Sequence, residues 1–224
     1  EYSLYNIMLV YQNYMYTGDK RELESNYQKL KEKTLEQYYD ANIGLMEDVT
    51  DSDVSGQKIM VDWPTTERDG YKMTEAYYNT VFNAVCVGGY GDMAKIADVL
   101  GYTEEAEHYR GLAASIRSNM ITKLYNADSG TFYDGLDARG RVVDHSAQHA
   151  TVFSLAFGVY TDQAMADEHL RRLFFAAGSL RKQSRRPGAE DYEQSGDHAG
   201  STRLGLFALQ TWGYCNAGSM EQQS

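Results

Sequence analysis

Two histidines stand four residues apart at the start of an apolar run, in the stretch VVDHSAQHATVFSLAFG. On a helix this spacing places His145 and His149 on one face, as in the zinc motif His-Glu-x-x-His. No glutamate lies between them, and a third ligand is hard to find among the three other histidines of the chain. We therefore predict that no metal binds here and that no cofactor is needed.

Two other roles remain open for the same stretch. In the structural one, Asp144 or Ser146 caps a helix whose first two turns contain the histidines. In the functional one, His145, Gln148 and His149 line a cleft. Imidazole and amide groups offer both donors and acceptors, which suits them to the hydroxyl groups of a sugar.

A second group of polar residues lies in the stretch VDWPTTERDGYKMTEAYYNT. Asp62 and Trp63 could bind a sugar together, because a carboxylate accepts hydroxyl hydrogens while an indole stacks on the apolar face of the ring. Glycoside hydrolysis needs two carboxyl groups across the bond to be cleaved. We nevertheless expect Glu67 and Asp69 to be solvated loop charges, and Glu75 to stabilise the start of a helix.

Composition narrows the function classes. The chain has 224 residues, 42% of them hydrophobic, and a net charge of −11, which argues against nucleic acid or an anionic membrane as partner. Its two cysteines have no metal-like spacing, and no apolar run is long enough to span a bilayer. The helical pattern starts at the first residues of the sequence, so we expect a fragment of a longer protein.

Apolar residues recur at helical spacing along most of the chain. We predict an all-α fold in which the glycines of CVGGYGD let helices approach closely, and in which Gly101 ends the third helix and Thr103 caps the fourth. The predicted helices are Tyr2–Tyr16, Lys20–Tyr39, Met73–Leu100, one over TEEAEHYRGLAASIRSNMITKLYN, one starting in the His145 stretch, and one over TDQAMADEHLRRLFFAA.

A weak internal repeat relates YDANIGLMED (residues 39–48) to YNADSGTFYD (residues 125–134). Each copy follows an outer helix and leads through a polar loop to a more apolar inner helix, which is typical of stacked helical hairpins. Such hairpins form an open solenoid or a closed toroid, and long loops gathered on one face favour the toroid. We also predict a small β-hairpin over SGTFYDGLDARGRVVD, with DARG as its turn. The pattern ends near Gly178, so residues 1–178 are one domain segment and residues 179–224 an irregular tail.

Several of these stretches together resemble the catalytic domain of bacterial α-L-rhamnosidases, glycoside hydrolase family 78. The resemblance covers residues 1–160 in the same order and comparable spacing. It is carried by SLYNIMLVYQNYMYTGD, by VDWP leading to EAYYNTVFNAVCVGGYGDMAKIADVLGYTEEAEHYRGLAASIRSNM, and by YNADSGTFYDG followed by HSAQHATVFSLAFGV.

That resemblance implies an (α/α)6 toroid that hydrolyses terminal α-L-rhamnosides with inversion, in a soluble protein of the bacterial cytoplasm or periplasm. It also implies that Asp62, Trp63 and His145 contact the sugar. The family's acid lies in an upstream Arg-Asp-Glu motif that this chain lacks, and the base lies in a late Trp-Glu element where this chain reads TWGY. The catalytic pair is therefore not assigned.

Two other functions remain open. One is another (α/α)6 glycosidase, such as an unsaturated glucuronyl hydrolase. The other is a non-catalytic helical-repeat module that binds a glycan or another partner.

Overall fold

The computed structural model describes residues 2–48, 59, 61 and 68–171. The predicted strand over QKIMVDW, apart from Ile59 and Val61, and the irregular tail lie outside these residues. Residues 163–171 are helical, in addition to the five helices named next. The helices are α1 (Tyr2–Thr17), α2 (Arg21–Lys31), α3 (Thr80–Leu100), α4 (Thr103–Leu124) and α5 (Gln148–Ala156), and the strands are β1 (Tyr39–Asp40), β2 (Leu45–Met46), β3 (Tyr78–Asn79), β4 (Tyr125–Asn126), β5 (Thr131–Phe132) and β6 (Gly135–Leu136).

Helix α3 lies at the centre of the helical packing. It contacts α1 on one side, α5 on another, and its hairpin partner α4, while α2 packs against α1. Two glycines allow the close approach: a Cβ on Gly88 would lie 2.4 Å from the Phe157 ring, and one on Gly89 would lie 3.0 Å from Leu4. The inner layer is therefore α1, α3 and α5, with α2 and α4 outside, as the helical-hairpin prediction requires.

Two helix boundaries differ from those predicted. The second helix ends at Lys31 rather than Tyr39, and Leu35 then adopts a left-handed conformation (φ 59°) before the short 3-10 helix Glu36–Tyr38. The third begins at Thr80 rather than Met73, where the side chain of Asn79 accepts a hydrogen bond from the backbone N–H of Phe82 (3.0 Å).

These boundaries change the roles of two other residues. Glu75 lies in a turn ahead of α3, so the prediction that it stabilises the helix start is wrong. Thr103 is the first residue of α4, and the cap position is taken by Tyr102, without a side-chain hydrogen bond. Gly101 ends α3 as predicted, with φ 80°.

The repeated segments adopt the same structure. Tyr39 pairs with Met46 in one antiparallel hairpin, and Tyr125 pairs with Phe132 at the equivalent position in the other. The backbone N–H of Gly44 donates to Asp40 O (2.6 Å), and that of Gly130 donates to Asn126 O (2.8 Å). Both glycines have positive φ, 77° and 66°, which favours glycine over residues with a Cβ.

Each repeated hairpin is also tied to the inner helix that follows it. The backbone N–H of Met46 donates to Asn83 Oδ1 (2.7 Å) in the first turns of α3. At the equivalent place, the N–H of Phe132 donates to Thr151 Oγ1 (3.0 Å) in α5. The weak sequence repeat therefore marks a true structural repeat of outer helix, hairpin and inner helix.

The predicted β-hairpin around DARG is confirmed over a short span, where Asp137 N–H donates to Arg141 O (2.8 Å) and Val143 N–H donates to Gly135 O (3.0 Å). The N–H of Gly140 donates to Asp137 O (2.9 Å), and Leu136 forms an isolated bridge with Val142. The longer pairings run elsewhere: β5 pairs with β4, and β6 pairs with β3.

Two aspartates of α3 are expected to affect stability with opposite signs. Burial raises the pKa of Asp92, and Lys95 at 3.0 Å opposes this shift only in part. A raised folded-state pKa gives a contribution to stability that is full below about pH 4, the unfolded value, and is lost as pH rises through the folded-state pKa. Asp92→Asn should therefore increase the free energy of unfolding at pH 7 but not at pH 4, measured by urea unfolding.

Asp98 is the matched control, because a hydrogen bond from Arg110 lowers its pKa. Its contribution to stability is present above the unfolded value and is lost as pH falls through the folded-state pKa. Asp98→Asn should therefore fail to stabilise the chain at pH 7. A loss of stability at pH 7 in Asp92→Asn would show that the Lys95 pair outweighs the cost of burial.

Candidate functional site

The N-termini of inner helices α3 and α5 lie side by side. Strand β3 immediately precedes α3, and it pairs with β6 in the segment that leads to α5. Tyr78 lies opposite Leu136, and Asn79 lies opposite Gly135. The described segments before the two helices are therefore joined by hydrogen bonds and form one surface.

Asp134 is the buried residue that joins the two segments. Its side chain is fully buried, and two backbone N–H groups and one imidazole nitrogen, from two loops, contact its carboxylate. Oδ1 accepts a hydrogen bond from the backbone N–H of Ala147 (2.8 Å), and Oδ2 accepts one from Lys72 (2.8 Å). The imidazole Nδ1 of His145 lies 2.6 Å from Oδ2. A single carboxylate thus satisfies donors that are far apart in the sequence.

The backbone of Asp134 joins the same elements. Its N–H donates to His145 O (2.8 Å), and its carbonyl accepts from the backbone N–H of Thr80 (2.9 Å) and from the hydroxyl of Tyr71 (2.5 Å). Burial raises the pKa of Tyr71 well above its usual value, so the phenol stays protonated and acts as a donor. These bonds hold the loop before α3 against the segment before α5.

His145 lies above Asp134 with about a third of its side chain exposed (32%). Its Nε2 faces Gly70, where an added Cβ would lie 3.2 Å away. Both Asp69 (φ 51°) and Gly70 (φ 71°) have left-handed backbone conformations. A glycine at position 70 therefore suits this left-handed conformation and places no side chain against Nε2.

Asp69 caps α5 from a separate loop. Its Oδ2 accepts a hydrogen bond from the backbone N–H of Gln148 (2.8 Å), the first residue of the helix. The predicted role of Asp69 as a solvated charge is wrong in this respect, although the residue is exposed. The predicted caps Asp144 and Ser146 are also wrong, because Ala147 occupies the cap position without a side-chain hydrogen bond.

The predicted site residues have different surroundings. His145 precedes α5, so the expectation that His145 and His149 share one helix face is wrong. Gln148 is partly exposed, whereas His149 is 2% exposed in the first turn of α5. Asp62 and Trp63 lie outside the described residues, as does Glu67.

Asp134 was missed from the sequence, although one signal pointed to it. It is the last residue of the second repeated segment, and the corresponding residue of the first is also an aspartate, Asp48. Asp69 and Gly70 carry no comparable signal, because their contacts depend on a loop that crosses to the start of α5.

Within residues 2–48, 59, 61 and 68–171, no group of three or more histidine, cysteine, aspartate or glutamate side chains could hold a metal ion. None of the helices described in this part of the chain is long and apolar enough to cross a membrane.

Comparison with known proteins places this geometry in a family. Residues 3–182 match the bacterial α-L-rhamnosidase six-hairpin glycosidase domain. No curated protein matches the sequence.

Two solved structures share the fold. A rhamnosidase from Klebsiella oxytoca with rhamnose bound superposes with a TM-score of 0.59 at 18% identity, over 77% of this chain and 29% of that one. A GH78 family rhamnosidase of Bacillus sp. GL1 gives a TM-score of 0.61 at 17% identity, over 98% of this chain and 21% of that one. The chain therefore spans less than a third of either protein. With four fifths of its length matched by the family domain, the chain belongs to the bacterial α-L-rhamnosidase six-hairpin glycosidase family.

Proposed function

We propose that the chain is a segment of an enzyme that hydrolyses terminal α-L-rhamnosides with inversion at the anomeric carbon. The family match over residues 3–182 carries this proposal. The rhamnose bound to the Klebsiella oxytoca rhamnosidase supports the choice of sugar. Inversion would require a carboxylic acid that protonates the leaving oxygen and a carboxylate that activates water on the opposite face.

In this proposal the surface before α3 and α5 positions the sugar. The partly exposed side chains of His145 and Gln148 are available to hydroxyl groups, and the bonds to Asp134 hold the imidazole in place. Asp62 and Trp63 would add a carboxylate and a stacking ring to the same site. The role of His149 stays a prediction, and at 2% exposure it would support the site from beneath.

Rhamnose binding to the 224-residue chain tests this role for His145. We expect His145→Asn to weaken binding about tenfold or more, because a lost hydrogen bond to a ligand costs on the order of 1.5 kcal/mol. The asparagine amide can still donate to Asp134, so the fold should be retained. Isothermal titration calorimetry with rhamnose measures the change.

His108→Asn is the matched control, since His108 lies on outer helix α4 and contacts Glu36 at 2.8 Å. It should bind rhamnose as the unaltered chain does. Equal affinities for all three proteins would contradict the proposed role of His145.

The reaction itself is tested on the longer protein that contains this segment. Aryl α-L-rhamnoside should be hydrolysed faster than other aryl glycosides or an unsaturated glucuronide. Proton NMR of the first sugar released should show the anomer opposite to that of the substrate. Faster hydrolysis of another glycoside would contradict the substrate, and release of the same anomer would contradict inversion.

A further inference from the structure

The contacts of Asp134 determine where the imidazole proton of His145 lies. Backbone N–H groups can only donate, so Ala147 N–H and Lys72 N–H make both carboxylate oxygens acceptors. His145 Nδ1 lies 2.6 Å from Oδ2, the oxygen that already accepts from Lys72. An ionised carboxylate has no hydrogen to donate, so the hydrogen of this third contact belongs to Nδ1.

This proton position has a consequence for the other ring nitrogen. In a neutral imidazole, one nitrogen carries the hydrogen and the other carries a lone pair. With the hydrogen on Nδ1, the lone pair of His145 is on Nε2, which faces Gly70. Any larger residue at position 70 would place a Cβ 3.2 Å from this nitrogen, whereas glycine places no side chain there.

The hydrogen bond between His145 Nδ1 and Asp134 Oδ2 is not needed to hold the backbone in place. The backbone of His145 is already fixed, because its carbonyl accepts from Asp134 N–H and its own N–H donates to Val143 O (2.7 Å). Asp134 also has its two backbone donors, Lys72 and Ala147, without the imidazole. The bond to Nδ1 therefore orients the ring, over and above its contribution to the loop.

We infer that Asp134 is a positioning residue that holds His145 in the Nδ1–H form, so that Nε2 accepts a hydrogen bond from a hydroxyl group of the sugar. The identity of the ligand rests on the proposed function, whereas the proton position rests on the contacts of Asp134 alone. The site would thus require a donating hydroxyl at this point of the ligand.

Nitrogen-15 NMR of the labelled chain tests the proton position directly. Two-bond proton–nitrogen spectra distinguish the protonated from the unprotonated ring nitrogen, and the His145→Asn spectrum identifies the signals of His145. We expect neutral His145 to have its hydrogen on Nδ1. His108 should show the opposite form, because it is Nε2 that contacts a carboxylate, Glu36 Oε1, at 2.8 Å. An Nε2–H form at His145 would overturn the inference.

Asp134→Ala removes the acceptor and should release this preference, so that the Nε2–H form of His145 appears in the folded protein. If this variant does not fold, the spectrum of the unaltered chain still decides the proton position. A folded Asp134→Ala protein that keeps only the Nδ1–H form would overturn the role assigned to Asp134.

The hydrogen bond from a sugar hydroxyl group to Nε2 is tested with methyl α-L-rhamnoside and its three derivatives methylated singly at O2, O3 or O4. Methylation removes a donor, so one derivative should bind the unaltered chain about tenfold more weakly but bind His145→Asn no more weakly than the parent glycoside does. Equal losses in both proteins would overturn the acceptor role of Nε2. If no rhamnoside binds while His145 is in the Nδ1–H form, the proposed function fails and the positioning role of Asp134 is supported.

Discussion

Replacement of Asp134 by alanine is expected to lower the free energy of unfolding by roughly 3–5 kcal/mol, because a buried donor left unpaired costs about 1–3 kcal/mol. Three N–H groups lose their acceptor together, from Lys72, His145 and Ala147. The Ala147 contact is buried, so water cannot easily replace it. Urea unfolding of the full chain, extrapolated linearly to water, measures the loss.

Asp144→Ala is the matched control, since it removes an exposed carboxylate ten residues further along the same segment. Its effect should stay within about 0.5 kcal/mol, as for most surface substitutions. Asp134→Asn should fall between the two, because the amide keeps one acceptor oxygen and places a donor where the other was. A loss in Asp134→Ala no greater than in Asp144→Ala would refute the central role of Asp134.

Replacement of Asn83 by alanine is expected to cost roughly 2–4 kcal/mol, again because buried polar groups lose their partners. Asn83 is fully buried and holds the edge of the first repeated hairpin. Its Oδ1 accepts from Met46 N–H (2.7 Å), and its Nδ2 donates to Met46 O and Asn79 O (both 2.9 Å). The same urea experiment measures the change.

The second repeat provides the comparison. Thr151→Val keeps the shape of the side chain but removes the single acceptor of Phe132 N–H, so the loss should be about 1–2 kcal/mol. Asn26→Ala, at a partly exposed position of α2, should change stability by about 0.5 kcal/mol or less. If Thr151→Val costs more than Asn83→Ala, the two hairpins are not held in the way their contacts indicate.

The long helices could be predicted from the sequence because their apolar periodicity is local. The first helix and the end of the third were placed within one residue of the structure, the latter by Gly101. Helix starts were harder to place. The third helix was predicted too early because Ala76, Tyr77 and Tyr78 continue the apolar run ahead of Asn79, and here the pairing of β3 with β6 competes with helix formation.

His145 could be chosen from its type and surroundings, but its geometry could not. The i, i+4 spacing to His149 suggested one helix face, whereas Asp69 caps α5 at Gln148 and leaves His145 outside the helix. That cap comes from 79 residues earlier in the chain. The cap forms only where two loops come into contact, and a local sequence pattern does not predict that contact.

The sequence by itself determined the helical-hairpin class and the internal repeat, because hydrophobic period and repeated turn chemistry are properties of short segments. The family was indicated by the resemblance of several motifs taken together. The tertiary structure alone decided which residues form the site. Asp134 contacts Lys72 across 62 residues and His145 across 11, and these contacts exist only when β3 and β6 bring the two loops together. A buried carboxylate needs several donors from different parts of the chain, so folding rather than sequence spacing makes it the centre of the site.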